Sequence, residues 1–154
     1  MSTLPSSRVF QRAVLVIVKG RDVGRSVVVN MAHCVMIGRS PDLGGATGMI
    51  TQHSLTRLDE EDTKTVARHL KIRAPLKEGA RALLTSFDRC PDVCLVDDAV
   101  SSRHMMIFVD EAGASLLDVA STNGTFVNGR RVTEAELALG DLIRIGETRI
   151  EVRG

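Results

Sequence analysis

Short strand-like segments at regular spacing fill the second half of the chain, and they constrain its fold most. From residue 92 onward, apolar and β-branched runs recur about every eight to twelve residues, with turn-forming residues between them. These runs occupy residues 93–96, 104–109, 115–119, 125–127, 142–145 and 148–152. Similar runs near the start of the chain occupy 13–18, 26–29 and 34–37. Many short strands of this kind predict an all-β sandwich or barrel of antiparallel sheet.

Turn residues are concentrated in the stretch STNGTFVNG, residues 121–129. Because Asn-Gly tolerates positive φ well, Asn128 and Gly129 predict a tight hairpin turn between two short strands. Asn123 and Gly124 mark a second break just before the first of these strands. The residues leading into that break should form an exposed loop of hydroxyl and amide side chains, which suits recognition.

The middle of the chain has a different pattern. Residues 59–73, DEEDTKTVARHLKIR, begin acidic and end basic, which complements a helix dipole. At helical spacing, one face of this segment carries Thr63, Val66, Ala67 and Leu70. With Pro75 as a stop signal, these features predict a helix. Residues 76–87 fit a second helical face, which Gly79 weakens.

A chain of 154 residues suits one domain with a real core. The simplest organisation is a tail of residues 1–9 and one β-domain of residues 10–154, with a partly helical insertion at about 42–88. Because Pro and Gly residues punctuate the insertion separately, we expect it to be dispensable for the sandwich.

The composition excludes several classes of partner. A net charge of +1 argues against a general nucleic-acid binder, and four Phe without Trp or Tyr provide no platform for stacking bases. No apolar run approaches the length of a membrane span, and the first residues lack a secretory signal pattern. We therefore expect a cytoplasmic protein without nucleic-acid or membrane partners.

The three cysteines are odd in number and fit a reducing cytosol better than a disulfide framework. Cys90 and Cys94 form one loosely spaced pair, and His33 precedes Cys34. Zinc sites normally combine two short-spaced pairs, so we expect buried free thiols and no metal. No P-loop or glycine-rich nucleotide fingerprint is present, so no cofactor is expected.

Four fragments carry a resemblance to a known family when they are taken in order. They are IGRS at 37–40, SSRH at 101–104, STNGTFVNG at 121–129 and LGDLIRIG at 139–146. Together they resemble the forkhead-associated (FHA) domain family, whose pattern is Gly-Arg, Ser-x-x-His and Asn-Gly in loops at one end of a β-sandwich. The resemblance covers about residues 10–41 and 89–153. It implies a sandwich of two antiparallel sheets that binds a threonine-phosphorylated protein or peptide.

The residue chemistry agrees with that implication. Arg39 follows a strand, and its planar guanidinium can meet two phosphate oxygens. Ser101 offers a hydroxyl donor. By resemblance, Arg39, Ser101 and Thr122 hold the phosphate, Asn123 hydrogen-bonds the peptide backbone, and Ser102 adds a further contact. The family's preference for phosphothreonine over phosphoserine, through a pocket for the methyl group, is also implied.

Five further residues are expected to be structural. The family pattern implies that His104 braces the Ser101 loop rather than contacting ligand. Gly38, Gly124 and Gly129 are expected to give the backbone special conformations or close approaches. Asn128 belongs to the predicted hairpin.

The sequence departs from the family pattern at two places. Most members have only a handful of residues where this chain has its insertion, which lies between the Arg39 loop and the Ser101 loop and could cover, extend or block the site. The second departure is the Ser102-Arg103 pair, where arginine-rich spacing is commoner in the family. This departure puts a secondary phosphate contact in doubt.

Two functions from different classes compete. The first is a phosphothreonine-peptide binding module for phosphorylation-dependent protein interactions, and the alternative is a phosphate-independent scaffold that uses the insertion as its partner surface. An enzyme built on Ser101 and His104 is not expected, because no third orienting group or nucleophile elbow accompanies them. The phosphorylated partner, its kinase and the oligomeric state stay open.

Overall fold

The computed structural model describes residues 12–40, 58–73, 87–110 and 113–154. These residues form twelve strands and one helix: β1 (Arg12–Lys19), β2 (Ser26–Asn30), β3 (His33–Arg39), α1 (Glu60–Arg73), β4 (Asp88–Arg89), β5 (Val93–Leu95), β6 (Met105–Asp110), β7 (Gly113–Asp118), β8 (Thr125–Val127), β9 (Arg130–Val132), β10 (Glu134–Leu137), β11 (Leu142–Ile145) and β12 (Thr148–Arg153).

The strands form two sheets, which confirms the predicted sandwich. The first sheet has the order β2-β1-β12-β11-β8-β9, and all its pairs are antiparallel. The second has the order β10-β7-β6-β3-β4, and β5 also pairs with β3. Here β3 pairs with β4 and β5 in parallel, so this sheet is not antiparallel throughout. The reason is that the insertion connects β3 to β4 as a crossover, which parallel strands require.

The main core lies between the two sheets. In β1 the inward residues Ala13, Leu15 and Ile17 alternate with more exposed ones, as expected for a strand with one buried face. In β3 and β6 almost every residue is buried, because both faces are covered. The inward side packs in the main core, whereas Met36 and Phe108 belong to a second cluster on the outer face.

Helix α1 covers that outer face of the second sheet. Asp59 caps its first turn by accepting a hydrogen bond from the Asp62 amide at 2.8 Å. Val66 and Leu70, which are 0% and 2% exposed, pack against the second cluster. The helix is as predicted, but the expectation that the insertion is dispensable does not fit this packing, because removing α1 would expose an apolar sheet face.

A buried polar contact also holds α1 on the sheet. The Nδ1 of His69 lies 2.6 Å from Glu134 Oε1 on β10, and its Nε2 lies 3.2 Å from Ser115 Oγ on β7. The His69 ring packs at 5.5 Å from the Phe108 ring. The helix is thus fixed to three strands by polar and apolar contacts together.

The other predicted elements compare with the structure as follows. The nine predicted strands, and residues 130–132 as the second strand of the predicted hairpin, are observed with small shifts of their ends. The sequence does not predict β4, which has two residues, or β10, whose EAEL lacks β-branched and aromatic side chains. The second predicted helix, 76–87, the tail 1–9 and residues 42–57 lie outside the described residues, apart from Phe87. Within the described part of the chain, no helix is long and apolar enough to cross a membrane.

Candidate functional site

The Ser loop, residues 101–104, lies directly against the end of β3. The Arg39 amide donates to the Ser101 carbonyl at 2.9 Å, and the His104 amide donates to the Ile37 carbonyl at 3.1 Å. These backbone bonds place the Arg39 side chain and the Ser loop at the same end of the sandwich.

Gly38 permits this close approach. A Cβ atom at Gly38 would lie 1.9 Å from the Ser102 carbonyl oxygen and 3.1 Å from the Ser101 carbonyl oxygen. Since real side chains do not tolerate a backbone atom at that distance, any larger residue would push the Ser loop away from β3.

The Asn loop, residues 121–124, lies beside the Ser loop. The Thr122 amide donates to Ser101 Oγ at 3.0 Å. The Asn123 side-chain amide donates to the Ala99 carbonyl at 2.9 Å. The Thr122–Ser101 bond therefore joins two loops that are distant in sequence, and Asn123 ties the Asn loop to the segment just before the Ser loop.

His104 is buried between the two loops and is bonded to both. Its Nδ1 accepts from the Ser101 amide at 3.0 Å, so Nε2 carries the hydrogen and donates to the Gly124 carbonyl at 2.9 Å. Burial lowers the pKa of His104, against the opposing effects of the Gly124 hydrogen bond and of Asp118 and Asp97. The imidazole is thus held neutral, in one tautomer, as a clamp between the loops.

Asp118 holds the Asn loop in place through side-chain hydrogen bonds. This residue was not identified from the sequence. Its carboxylate accepts from the Ser121 amide at 2.9 Å, from the Ser121 hydroxyl, and from Thr125 Oγ1 at 2.6 Å. Ser121 Oγ in turn accepts from the Gly124 amide at 3.1 Å. The available signal was an Asp three residues before a Ser at a turn, a pattern in which an acid bonds its own backbone.

Asp97 fixes the segment that meets Asn123, and it was also missed. This carboxylate is 8% exposed and accepts from the Ala99 amide at 3.0 Å. It also accepts from the Glu147 amide at 2.9 Å and from Thr148 Oγ1 at 2.7 Å. The Ala99 carbonyl is thereby positioned for Asn123.

Free donors remain at the surface of this arrangement. Arg39 is exposed, and its guanidinium makes no hydrogen bond or ion pair with another described residue. The Ser101 hydroxyl accepts from the Thr122 amide, which leaves its own hydrogen available to a ligand. Ser102, Thr122 and Asn123 are exposed beside them. These groups can meet an anion with one charged donor and several neutral ones.

The insertion touches the Ser loop through Arg103. Arg103 Nε lies 2.8 Å from Asp62 Oδ2, and Nη2 lies 3.2 Å from Asp59 Oδ2. Burial raises the pKa of the Asp62 carboxyl, and the Arg103 charge opposes that effect. Arg103 is therefore held toward the first turn of α1, whereas residues 41–57, which adjoin Arg39 in sequence, lie outside the described residues.

The Asn128-Gly129 turn joins β8 to β9 as predicted, with φ values of 52° and 85° at its two central residues. Both are positive, as a type I′ hairpin requires. The Asn128 side chain also accepts from the Leu142 amide and donates to Asp141 Oδ1, each at 3.0 Å. This anchors the hairpin to β11.

Neither a metal site nor a hydrolytic pair is visible among the described residues. They contain no group of three metal-binding side chains. All three cysteines are free, but only Cys34 is buried, and burial raises its pKa to about 11. Cys90 and Cys94 are half-buried, which differs from the expectation of three buried thiols. The His104 ring faces backbone groups, so it is not positioned to accept the Ser101 hydroxyl proton.

Comparisons with known proteins point to one family. The sequence model of the FHA domain matches residues 88–146. The chain is 33% identical over 105 residues to the FHA domain-containing protein FhaB of Mycobacterium tuberculosis, a match that covers 64% of this chain and 68% of FhaB. It is 51% identical over 59 residues to FhaA of the same organism, which covers 38% of this chain and 11% of FhaA.

A solved structure gives the same result at the level of the fold. It comes from a structural and functional analysis of phosphothreonine-dependent FHA domain interactions, and its TM-score with this chain is 0.53. The two are 27% identical, and the superposition covers 93% of this chain and 96% of the solved one. The sandwich and the FhaB match together show that the chain belongs to the FHA domain family.

Proposed function

We propose that this protein binds threonine-phosphorylated proteins or peptides and has no catalytic activity of its own. The observation that carries the proposal is the convergence of Arg39, Ser101 and the Asn loop at one end of the sandwich, clamped by buried His104. A phosphothreonine carries close to two negative charges and three acceptor oxygens. Exposed, preorganised donors around one point fit such a group.

Each residue has a defined part in this proposal. Arg39 provides a forked donor for two phosphate oxygens, and the Ser101 and Thr122 hydroxyls donate to the phosphate. Ser102 adds a contact at the rim. The Asn123 carbonyl oxygen and remaining amide hydrogen bond the peptide backbone next to the phosphothreonine. The preference for threonine is supported by the family and by the phosphothreonine-dependent interactions of the solved relative.

The scaffold alternative draws less support. Its partner surface would use the apolar side of the inserted helix, and Val66 and Leu70 are already buried against the second sheet. Within residues 60–70 of α1, the exposed side chains are all charged: Glu60, Glu61, Lys64 and Arg68. We also propose that residues 10–154 act as one domain and work in the cytoplasm, where the free cysteines of the described chain fit reducing conditions.

Calorimetric titration with one peptide in threonine-phosphorylated and unphosphorylated forms tests the proposal. We expect binding of the phosphorylated form only, and Arg39→Ala should weaken it at least about tenfold, because a charge-assisted hydrogen bond contributes about 1.5–3 kcal/mol. Arg39→Lys should recover part of the loss, since a point charge cannot bridge two oxygens. Arg68→Ala on the exposed side of α1 is the matched control. Equal affinity for both peptides would contradict the proposal.

Ser101→Ala and Asn123→Ala extend the same test. Each should weaken phosphopeptide binding while leaving the melting temperature nearly unchanged, because both side chains lie at the surface of the loops. A large fall in melting temperature with unchanged affinity would instead give these residues a structural part.

A further inference from the structure

A row of cationic side chains crosses the outer face of the first sheet. Antiparallel pairing places Arg131 opposite Phe126, Phe126 opposite Arg144, and Arg144 opposite Arg149. Arg149 lies opposite Lys19, across a register shift that follows Ile17 in β1. Residues directly opposite each other share one face of a sheet. The cationic row, defined as Arg131, Arg144, Arg149 and Lys19, therefore runs across five neighbouring strands.

The cationic row is not neutralised within the described chain. None of its four members forms an ion pair with another described residue. Glu151, in the adjacent register position on this face, is already bonded to Arg153 at 2.6 Å. Like charges directly opposite in a sheet are destabilising. A row of this kind presents several positive charges together to an anionic ligand.

The row begins at the proposed phosphothreonine site. The Arg131 guanidinium packs on Gly124 of the Asn loop, because a Cβ there would lie 2.8 Å from Arg131 Nε. Phe126 follows that loop by two residues and lies beneath Arg144, whose Cζ is 4.1 Å from the ring centroid. A ligand chain leaving the Asn loop can thus continue directly onto the cationic row.

The same contact indicates which kind of anion fits. Arg144 covers one face of the Phe126 ring, and the chain has no Trp or Tyr, so this surface offers little for the stacked bases of a single-stranded nucleic acid. Four strand spacings of about 4.8 Å make the row about 19 Å long, which an extended peptide covers with about six residues. Acidic side chains within that distance of the phosphothreonine can reach it.

We infer that the cationic row binds an acidic segment of the same phosphorylated partner, adjoining the phosphothreonine in sequence. The inference rests on the proposed function and adds to it a class of ligand: a phosphothreonine flanked by Asp and Glu residues. Arg39 and the two loops bind the phosphate, and the cationic row binds the acidic residues beside it.

Titration of paired phosphopeptides tests the inference. One member of each pair carries a Glu-rich flank, before or after the phosphothreonine, and the other carries Gln at the same positions. For one of the two placements we expect about tenfold tighter binding of the Glu peptide at low salt, from a few exposed ion pairs, and a smaller difference at high salt. Arg144→Glu with Arg149→Glu should abolish the difference and leave the affinity for the Gln peptide unchanged. An unphosphorylated version of each peptide, and a single-stranded DNA of mixed sequence, complete the set.

Lys64→Glu with Arg68→Glu is the matched control, because this pair changes the net charge by the same amount at two exposed positions of α1. It should keep the preference for the Glu flank; an equal loss would reduce the effect to net charge and overturn the inference. Equal binding of Glu and Gln peptides, with phosphate still required, would overturn the inference alone. No phosphate dependence in any peptide would overturn the proposed function and the inference with it. Tighter, row-dependent binding of the DNA would assign the row to nucleic acid.

Discussion

The two outer faces of the sandwich have opposite chemistry. The outer face of the second sheet is apolar, and α1 covers it with Val66 and Leu70. The outer face of the first sheet has no such cover among the described elements, and it carries the cationic row together with exposed aliphatic residues such as Val28, which is 46% exposed. The insertion therefore completes the fold on one side, whereas the other side is left for solvent or a ligand.

A different principle holds the end of the sandwich where the loops meet. The Ser loop and the Asn loop are joined by hydrogen bonds rather than by apolar packing: buried His104 donates to the Gly124 carbonyl, and the Thr122 amide donates to Ser101 Oγ. These hydrogen bonds hold the two loops in position and leave the ligand-binding donors of the loops exposed to solvent. A binding site requires such exposure, whereas a packed face does not.

Leu70→Ala should have the largest effect on stability. Removing a 2%-exposed leucine from the α1 interface should cost about 2–5 kcal/mol in the free energy of unfolding, measured with urea. Val28→Ala on the uncovered face is the matched comparison and should cost less than about 1 kcal/mol. Equal costs would mean that α1 does not form part of the core.

Gly38→Ala tests the contact between β3 and the Ser loop, which lies at the end of the sandwich and away from both outer faces. The added Cβ would lie 1.9 Å from the Ser102 carbonyl oxygen, so the Ser loop must move. We expect a stability loss of about 3 kcal/mol, as for overpacking, together with loss of phosphopeptide binding. Unchanged affinity in a titration would show that the position of the Ser loop does not matter for binding.

His104→Gln should cost about 2 kcal/mol, because a buried amide and a buried carbonyl lose a well-placed partner. The difference in stability between wild type and His104→Gln should depend on pH. The folded protein holds the His104 pKa below the ordinary 6.5, so between the two values the unfolded chain binds more protons and stability falls as pH decreases.

Urea unfolding at about pH 7.5 and about pH 5.5 checks this sign, since the range brackets the ordinary histidine pKa. Wild-type protein should lose more stability on acidification than His104→Gln, which keeps every other ionisable group of the wild type. An identical pH dependence would mean that His104 is not held neutral.

Arg103→Ala should have the smallest effect. Its ion pairs with Asp59 and Asp62 lie at a partly exposed surface, so their loss should cost less than about 1 kcal/mol. If thermal unfolding instead shows a loss as large as that of Leu70→Ala, the charged contact, and not the apolar one, holds α1 in place.

Much of the fold could be predicted from the sequence because strand spacing and turn residues are local signals. The Asn128-Gly129 hairpin and α1 are examples. The sequence does not reveal that α1 covers the second sheet, although the unbroken apolar runs of β3 and β6 are the available signal that both faces are buried. β10 was not predictable, because its pairing with β7 and not its composition makes it a strand.

The candidate site was also only partly predictable from the sequence. The family pattern places Arg39, Ser101 and Asn123 in the right order along the chain, and the structure brings their loops together. Asp97 and Asp118 escaped notice because a buried, bonded Asp beside a turn has the same sequence signature as a solvated one. The cationic row exists only through register, which no local pattern contains.

Amide chemical-shift mapping during titration with a phosphothreonine peptide tests the central claim most directly. We predict that the largest shifts occur at Arg39, in the Ser loop and in the Asn loop, that α1 is affected little, and that the unphosphorylated peptide produces none of them. Shifts centred on α1, or equal shifts with both peptides, would show that the protein binds through its insertion and does not recognise phosphate.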